Sequence, residues 1–160
     1  GAFGAVGAGV VAVPFINQMN PSADVRAMAT TEVDISAIEE GMAIKTIWQS
    51  KPVFVKHLTA AEIAEANKVD VASLRDPQTL AERTKPGKTQ WLVTLGVCTH
   101  LGCVPLGAGQ GESKGDYNGY FCPCHGSHYD TAGRIRKGPA PTNLVVPPLT
   151  FKSPTLVEIG

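Results

Sequence analysis

Cys98-Thr99-His100-Leu101-Gly102-Cys103 and Cys122-Pro123-Cys124-His125-Gly126-Ser127-His128-Tyr129 are the stretches on which the reading of this chain turns. Between them they hold all four cysteines and three of the four histidines in 160 residues. Thiolate sulfur and imidazole nitrogen bind soft and borderline transition metals. Each segment offers one Cys and one His close enough to grip a single site, plus one further Cys. Two ordinary disulfides with incidental histidines would use the same cysteines. Chance, however, seldom places three histidines inside two cysteine clusters, and four cysteines are too few for a disulfide-built chain of this length.

Working outward, the 14 basic and 14 acidic residues cancel. The balance gives no support to a nucleic-acid partner. With 17 Gly and 12 Pro, the chain favours short strands and loops over a helical bundle. Its length suits one globular domain with a short appendage.

The appendage lies at the amino end. Gly1 to Ala23 carries no charged residue, and Gly1 to Ile16 is almost wholly apolar. A bilayer span needs about 20 such residues. Residues 1–21 therefore read as a transmembrane anchor helix truncated at its start, kinked by Pro14 and stopped at Asn20-Pro21. A signal-peptide core and a buried helix of a soluble domain are the competing readings. Residues 22–31 are polar with small side chains, and read as a hinge or as a plain surface linker.

Residues 32–160 read as the head. Glu32–Ile35, Met42–Gln49 and Pro52–His57 look like strands, with Ser50-Lys51 as the tight connection. His57 reads as an exposed polar residue. Thr59-Ala-Ala-Glu62 has capping-box spacing for a short helix to Lys68. Asp76-Pro77 looks like the start of a second one, through Arg83. Gln90–Val97 is the strongest strand signal and runs into the first Cys/His loop, 98–103. Gly107-Ala-Gly-Gln-Gly111 has a superficial likeness to a phosphate loop, but no helix pattern follows, so it reads as a flexible connection. Tyr117–Phe121 suggests a hairpin turn feeding the second loop, 122–129. Gly133–Gly138 reads as a turn with a basic strand, Gly138-Pro-Ala-Pro141 as a stiff loop, and Leu144–Pro147 and Thr155–Ile159 as closing strands. The head is expected to be mainly antiparallel β.

Cys98-x-His100 with Cys122-x-x-His125 could furnish a tetrahedral zinc site. Zinc fingers, however, pair Cys with Cys and His with His, and zinc gives Cys103 and Cys124 no reason for their matched positions. An iron–sulfur centre uses these residues more naturally. In both loops the sequence resembles the Rieske iron–sulfur proteins, in which two His replace two Cys on one iron of a 2Fe-2S cluster. That resemblance implies that Cys98 and Cys122 ligate one iron, that His100 and His125 ligate the other, and that Cys103 and Cys124 form a disulfide clamping the loops. It further implies that Ser127 and Tyr129 hydrogen-bond to cluster sulfurs, that Leu101 and Pro139 wall the cluster, and that His128 is not a ligand. The fold it implies is an antiparallel Rieske-type β-sandwich with a cluster-binding subdomain and a short helical insert.

The ligand mix has a consequence that follows from charge. Two ferric ions, two sulfides and two thiolates are neutral together, so an added electron is accepted more readily than by a four-thiolate core. Oxygenase-type Rieske ferredoxins generally lack the extra cysteine pair. Together with Gly133–Pro141 and Asn17–Val25, the pair makes the chain resemble the Rieske subunit of cytochrome bc complexes. The resemblance implies quinol oxidation, with His125 and then His100 facing the quinol and sharing its proton, and onward transfer to a cytochrome c-type haem. The partners it implies are cytochrome b, a cytochrome c-type subunit, quinol and the lipid bilayer, without nucleic acid. It places the head on the periplasmic side of a bacterial cytoplasmic membrane, or on the intermembrane-space side of the mitochondrial inner membrane, with an export signal before Gly1. A plastoquinol-type complex, an oxidase small subunit and a zinc-stabilised binding module are the rival readings.

Overall fold

β-branched and aromatic runs separated by Gly and Pro turns fold here into short antiparallel strands. The computed structural model describes residues 1–27 and 29–160; Met28, inside the 22–31 linker reading, lies outside the described residues. In chain order come helix α1 (Ala2–Gln18), the single turn α2 (Ala23–Ala27), strands β1 (Thr31–Asp34), β2 (Ala43–Trp48) and β3 (Lys51–His57), and helices α3 (Ala60–Lys68) and α4 (Leu80–Arg83). Then follow β4 (Trp91–Leu95), β5 (Asn118–Cys122), β6 (Ser127–Asp130), β7 (Ile135–Lys137), β8 (Leu149–Ser153) and β9 (Leu156–Ile159). Among the described residues these strands form three sheets, ordered β1-β9-β8, β2-β3-β4 and β5-β6-β7.

Side-chain alternation explains how the sheets stack. Val53 and Val55 on β3, with Val93 and Leu95 on β4, meet Val33, Val157 and Ile159 of the β1-β9-β8 sheet in one core. Phe54 points the other way, into a second core with Tyr120, Tyr129, Ile135 and Leu144. Its ring stacks on Tyr120 at a centroid distance of 5.3 Å. The β2-β3-β4 sheet is thus covered on both faces, and every residue of β4 is buried. Each fully buried side chain of this size contributes about 1.5–3 kcal/mol. This two-faced sheet is the rigid base from which the first Cys/His loop projects, while the second caps the β5–β6 hairpin of the sheet packed against it.

The helical insert is tied to the β5-β6-β7 subdomain by two buried arginines. Arg134, fully buried, pairs with Asp130 at 2.9 Å and donates to the carbonyls of Ala66 and Gln78. Arg83 donates to the carbonyls of Ala132 and Leu144, and burial lowers its pKa to about 10. The basic run at 133–138 therefore faces inward at Arg134.

Several local readings shift. The β2–β3 turn is Gln49-Ser50, with φ of 48° and 60°, the left-handed pair that a tight hairpin requires. Thr59 and Glu62 make the expected reciprocal cap. Asp76 caps no helix: its carboxylate accepts from the Asn143 amide at 2.9 Å, and Thr79 starts α4 with its own capping box. Leu144–Pro147 is not a strand; β9 lies between β1 and Leu149–Ser153. Gly107-Ala-Gly-Gln-Gly111 is pinned by Glu112, whose Oε2 accepts from the Gly107 and Gly109 amides at 2.9 and 2.8 Å. His57 is half-buried, stacked on Trp91 at 4.2 Å, with Nδ1 2.9 Å from the Ile38 carbonyl.

Helix α1 is 17 residues long, contains Pro14 and has no buried residue. Among the described residues no helix is long and apolar enough to cross a membrane.

Candidate metal centre

β4 delivers the first loop. At its exit Gly96 lies against the Phe54 ring, where a Cβ would sit 2.5 Å from ring carbons. The chain then folds back on itself: Cys98 N donates to Cys103 O at 2.7 Å, and Gly102 N to Cys98 O at 2.9 Å. The second loop caps the β5–β6 hairpin between the paired residues Cys122 and Ser127. It is closed by Gly126 N donating to Cys122 O at 3.0 Å, and Gly126 takes the left-handed φ of 76° that suits glycine. A disulfide joins Cys103 to Cys124, with Cα atoms 6.6 Å apart.

Between the loops two free thiols, Cys98 and Cys122, are buried. Beside them the imidazoles of His100 and His125 stand edge to face at a centroid distance of 4.7 Å. His125 is exposed and His100 half-buried. His100 Nδ1 is fully buried without a hydrogen-bond partner. A buried ring nitrogen left unpaired carries the desolvation cost of a lost hydrogen bond, which a ligand on that atom would offset. Two thiols and two imidazoles also form a mixed sulfur–nitrogen donor set that suits iron or zinc. The residues present therefore fit a 2Fe-2S group with two sulfur and two nitrogen ligands. A different trio of sulfurs, from Cys103, Cys122 and Cys124, also lies within 4.8 Å. Two of those are spent in the disulfide, so that trio offers one thiolate.

The tyrosine has one proton, and its neighbours direct it. Thr99 Oγ1 donates to Thr142 O at 2.6 Å, and Thr99 N donates to the Tyr129 hydroxyl at 3.4 Å. With that amide on its oxygen, the Tyr129 hydroxyl has two acceptors for its single proton, Cys98 Sγ at 3.2 Å and Thr99 Oγ1 at 3.4 Å, and the sulfur is the nearer. At Cys98 burial disfavours the thiolate, but hydrogen bonds from Tyr129, the His100 amide, Cys122 and Ser127 outweigh it and lower the pKa. At Cys122 burial prevails and the pKa is raised. Burial, then the bond to Cys98, pushes the Tyr129 phenol up, so it stays a neutral donor.

Ser127 is buried, and its oxygen accepts from Ala140 N at 3.2 Å. That bond brings in a third loop, 138–143, whose Gly138 backbone lies directly against Gly126. Leu101 is 71% exposed and Pro139 is exposed, so both face solvent at the rim rather than the loop interior. His128 lies outside the site, packed on Phe121, with Nδ1 accepting from the Asp116 amide at 3.1 Å. Two contributors escaped the sequence reading. Thr99 could have been found, since it sits between a Cys and a His of the motif; Arg75 is 63 residues from its partner Gly138 and left no local signal.

Comparison with known proteins gives concordant findings. A family model described as "Rieske [2Fe-2S] domain" matches residues 53–149. Another, described as "Ubiquitinol-cytochrome C reductase Fe-S subunit TAT signal", matches residues 1–22, the stretch read above as an anchor with its export signal upstream. The "Ubiquinol-cytochrome c reductase iron-sulfur subunit" of Rhodospirillum rubrum is 62% identical over 159 residues, covering 99% of this chain and 86% of the relative. The "Cytochrome b-c1 complex subunit Rieske, mitochondrial" of Neurospora crassa is 57% identical over 160 residues, covering 100% of this chain and 66% of that one. A chain of the solved structure "Hyperthermophilic respiratory Complex III" aligns over 97% of this chain and 94% of its own length, at TM-score 0.58 and 28% identity.

Proposed function

The chain belongs to the Rieske [2Fe-2S] family, among the iron–sulfur subunits of ubiquinol–cytochrome c reductase, and on that premise we propose that Cys98, His100, Cys122 and His125 hold its cluster. Cys98 and Cys122 take one iron, and His100 and His125 the other. The observation that carries this assignment is the convergence of two buried free thiols with paired imidazoles, one having an unpartnered Nδ1. When bound, the cluster supplies a one-electron acceptor whose potential is raised by the two neutral ligands.

The chain's own residues prepare the site for quinol. His125 is exposed, so its outer ring nitrogen can accept a hydrogen bond from a quinol hydroxyl and hold the proton that leaves with the electron. His100, half-buried, is the second quinol-facing ring. Leu101 and Pro139 offer apolar rim surface that excludes water from that contact. Ser127 and Tyr129 direct hydroxyls at sulfur and favour added negative charge there. The disulfide keeps the loops from separating.

The relatives belong to bacterial and mitochondrial complexes. We place this chain's partners as cytochrome b, a cytochrome c-type haem subunit that receives the electron, and quinol. Residues 1–21 serve as a single-pass membrane anchor. The support is the exposed apolar set Phe3, Val6, Val10, Val11, Val13, Phe15 and Ile16, which no core among the described residues covers. Residues 22–31 act as the hinge, which ends where β1 opens at Thr31, and residues 32–160 form the head on the periplasmic or intermembrane-space side.

Iron and acid-labile sulfide analysis of the purified protein tests the centre. The expected result is equal iron and sulfide with a mixed-valence EPR signal on reduction. Zinc in their place refutes the assignment. Within the family, a potential as low as that of plant-type ferredoxins would exclude quinol oxidation.

A further inference from the structure

Gly138-Pro-Ala-Pro141 has a hydrogen-bonding deficit built into its sequence. Pro139 and Pro141 carry no amide hydrogen, so within 138–141 only Gly138 and Ala140 can donate. The carbonyls must still be satisfied where the loop is buried, and Ala140 is fully buried. The partner comes from the helical insert. Arg75 Nη1 donates to Gly138 O at 2.7 Å and to Ala140 O at 2.6 Å. Three residues on, the insert grips the far end of the same loop. Asp76 Oδ2 accepts from Asn143 N, while Asp76 O and Gln78 Oε1 accept from Asn143 Nδ2, each at 2.9 Å.

We infer that Arg75 is a positioning residue for the redox site, acting through the 138–143 loop on the Ser127 hydroxyl. The route is a short chain of bonds. Arg75 fixes both carbonyls flanking Pro139, and the Ala140 amide then donates to Ser127 Oγ at 3.2 Å. With its oxygen held as an acceptor there, the Ser127 proton is turned towards the sulfur side of the loops. Thr99 holds the same loop from the opposite side, through Thr142 O, so the loop is stretched between the insert and the first Cys/His segment. The insert, which shows no chemistry of its own, thereby reaches the centre. A lysine cannot reproduce this fully, since a point-charge ammonium lacks the planar, pre-set geometry of guanidinium.

The inference rests on the proposal that Ser127 borders the cluster, and its test separates the two. Arg75→Gln and Arg75→Lys are compared with the unaltered protein by amide hydrogen exchange and by redox titration. Arg75→Gln should speed exchange at Ala140 about tenfold, with Val93 in the β4 core unchanged. It should also lower the midpoint potential in the same direction as Ser127→Ala. Combined with Ser127→Ala it should lower it no further, because both changes remove one shared interaction. Arg75→Lys should show the same two changes, smaller. Exchange at Ala140 altered no more than at Val93 in both variants overturns the inference, as does full additivity with Ser127→Ala. Absence of a cluster from the unaltered protein sinks the site reading, while the exchange comparison still decides whether Arg75 holds the loop.

Discussion

Tyr129 and Ser127 each bring one hydroxyl proton to the sulfur side of the loops, and each has its oxygen occupied by a backbone amide, from Thr99 and Ala140 respectively. With those amides on their oxygens both hydroxyls are free to donate, and on the proposed reading they favour the reduced state. Hydrogen bonds to charged groups contribute about 1.5–3 kcal/mol in full, of which only the difference between redox states moves a potential. If about 1 kcal/mol is redox-dependent, a one-electron couple shifts by roughly 40 mV. Ser127→Ala and Tyr129→Phe should therefore each lower the midpoint potential by tens of millivolts with the iron content unchanged; an unchanged potential in both would refute their role. The grouping of the cysteines and two loop histidines was legible because metal chemistry uses few residue types, clustered in sequence, whereas Ser127 and Tyr129 came only from the family resemblance. Thr99 was visible between Cys98 and His100, but the bond that gives it its role, to Thr142, spans 43 positions.

Among the elements, the loops are restrained at two levels. The Cys103–Cys124 bridge closes a separation of 21 residues, and the chain-entropy model assigns such a closure about 3 kcal/mol. Cys103→Ala with Cys124→Ala should lower stability by about that amount in denaturant unfolding of the head, with the cluster more easily lost. The connection between the loops is restrained by Glu112. Its hydrogen bond to Lys45, against the opposing effect of burial and with help from the Gly109 and Gly107 amides, lowers its carboxyl to about 2. A depressed carboxylate pKa stabilises the fold fully above the ordinary value near 4.5, and that stabilisation is lost as pH falls towards about 2. Glu112→Gln should accordingly unfold more easily than the unaltered protein at neutral pH, by about 1–2 kcal/mol, and the gap should close in strong acid. An equal gap at both extremes would show that the charge is not what matters. The element readings failed for the same physical reason. Asp76-Pro77 has the local chemistry of a helix start, but Asn143 claims the carboxylate. Leu144–Pro147 has the composition of a strand, but its carbonyls at Leu144 and Val145 serve Arg83 and Leu95 instead. Thr59-Ala-Ala-Glu62 was legible because a capping box is complete within four residues.

Over the whole molecule, a β head carries the redox loops at one site and an apolar helix lies at the amino end. Placing prolines across residues 24–29 should slow quinol turnover in the assembled complex while leaving the cluster spectra unchanged; full activity in that variant would argue against a moving head. Removing residues 1–21 should release the head from membranes in a flotation assay, and retention on the bilayer would contradict the anchor. The antiparallel β class was legible from Gly and Pro frequency and from the alternating runs. The stacking of three sheets was not, since pairings such as Thr31 with Ile159 join the ends of the head. The central claim is that two cysteines and two histidines, from two loops, hold one cluster. Pulsed EPR on the reduced protein, with histidine labelled by nitrogen-15, reads that ligand set directly. Two strongly coupled histidine nitrogens on a mixed-valence centre are predicted; no histidine coupling, or no such centre, would contradict the account.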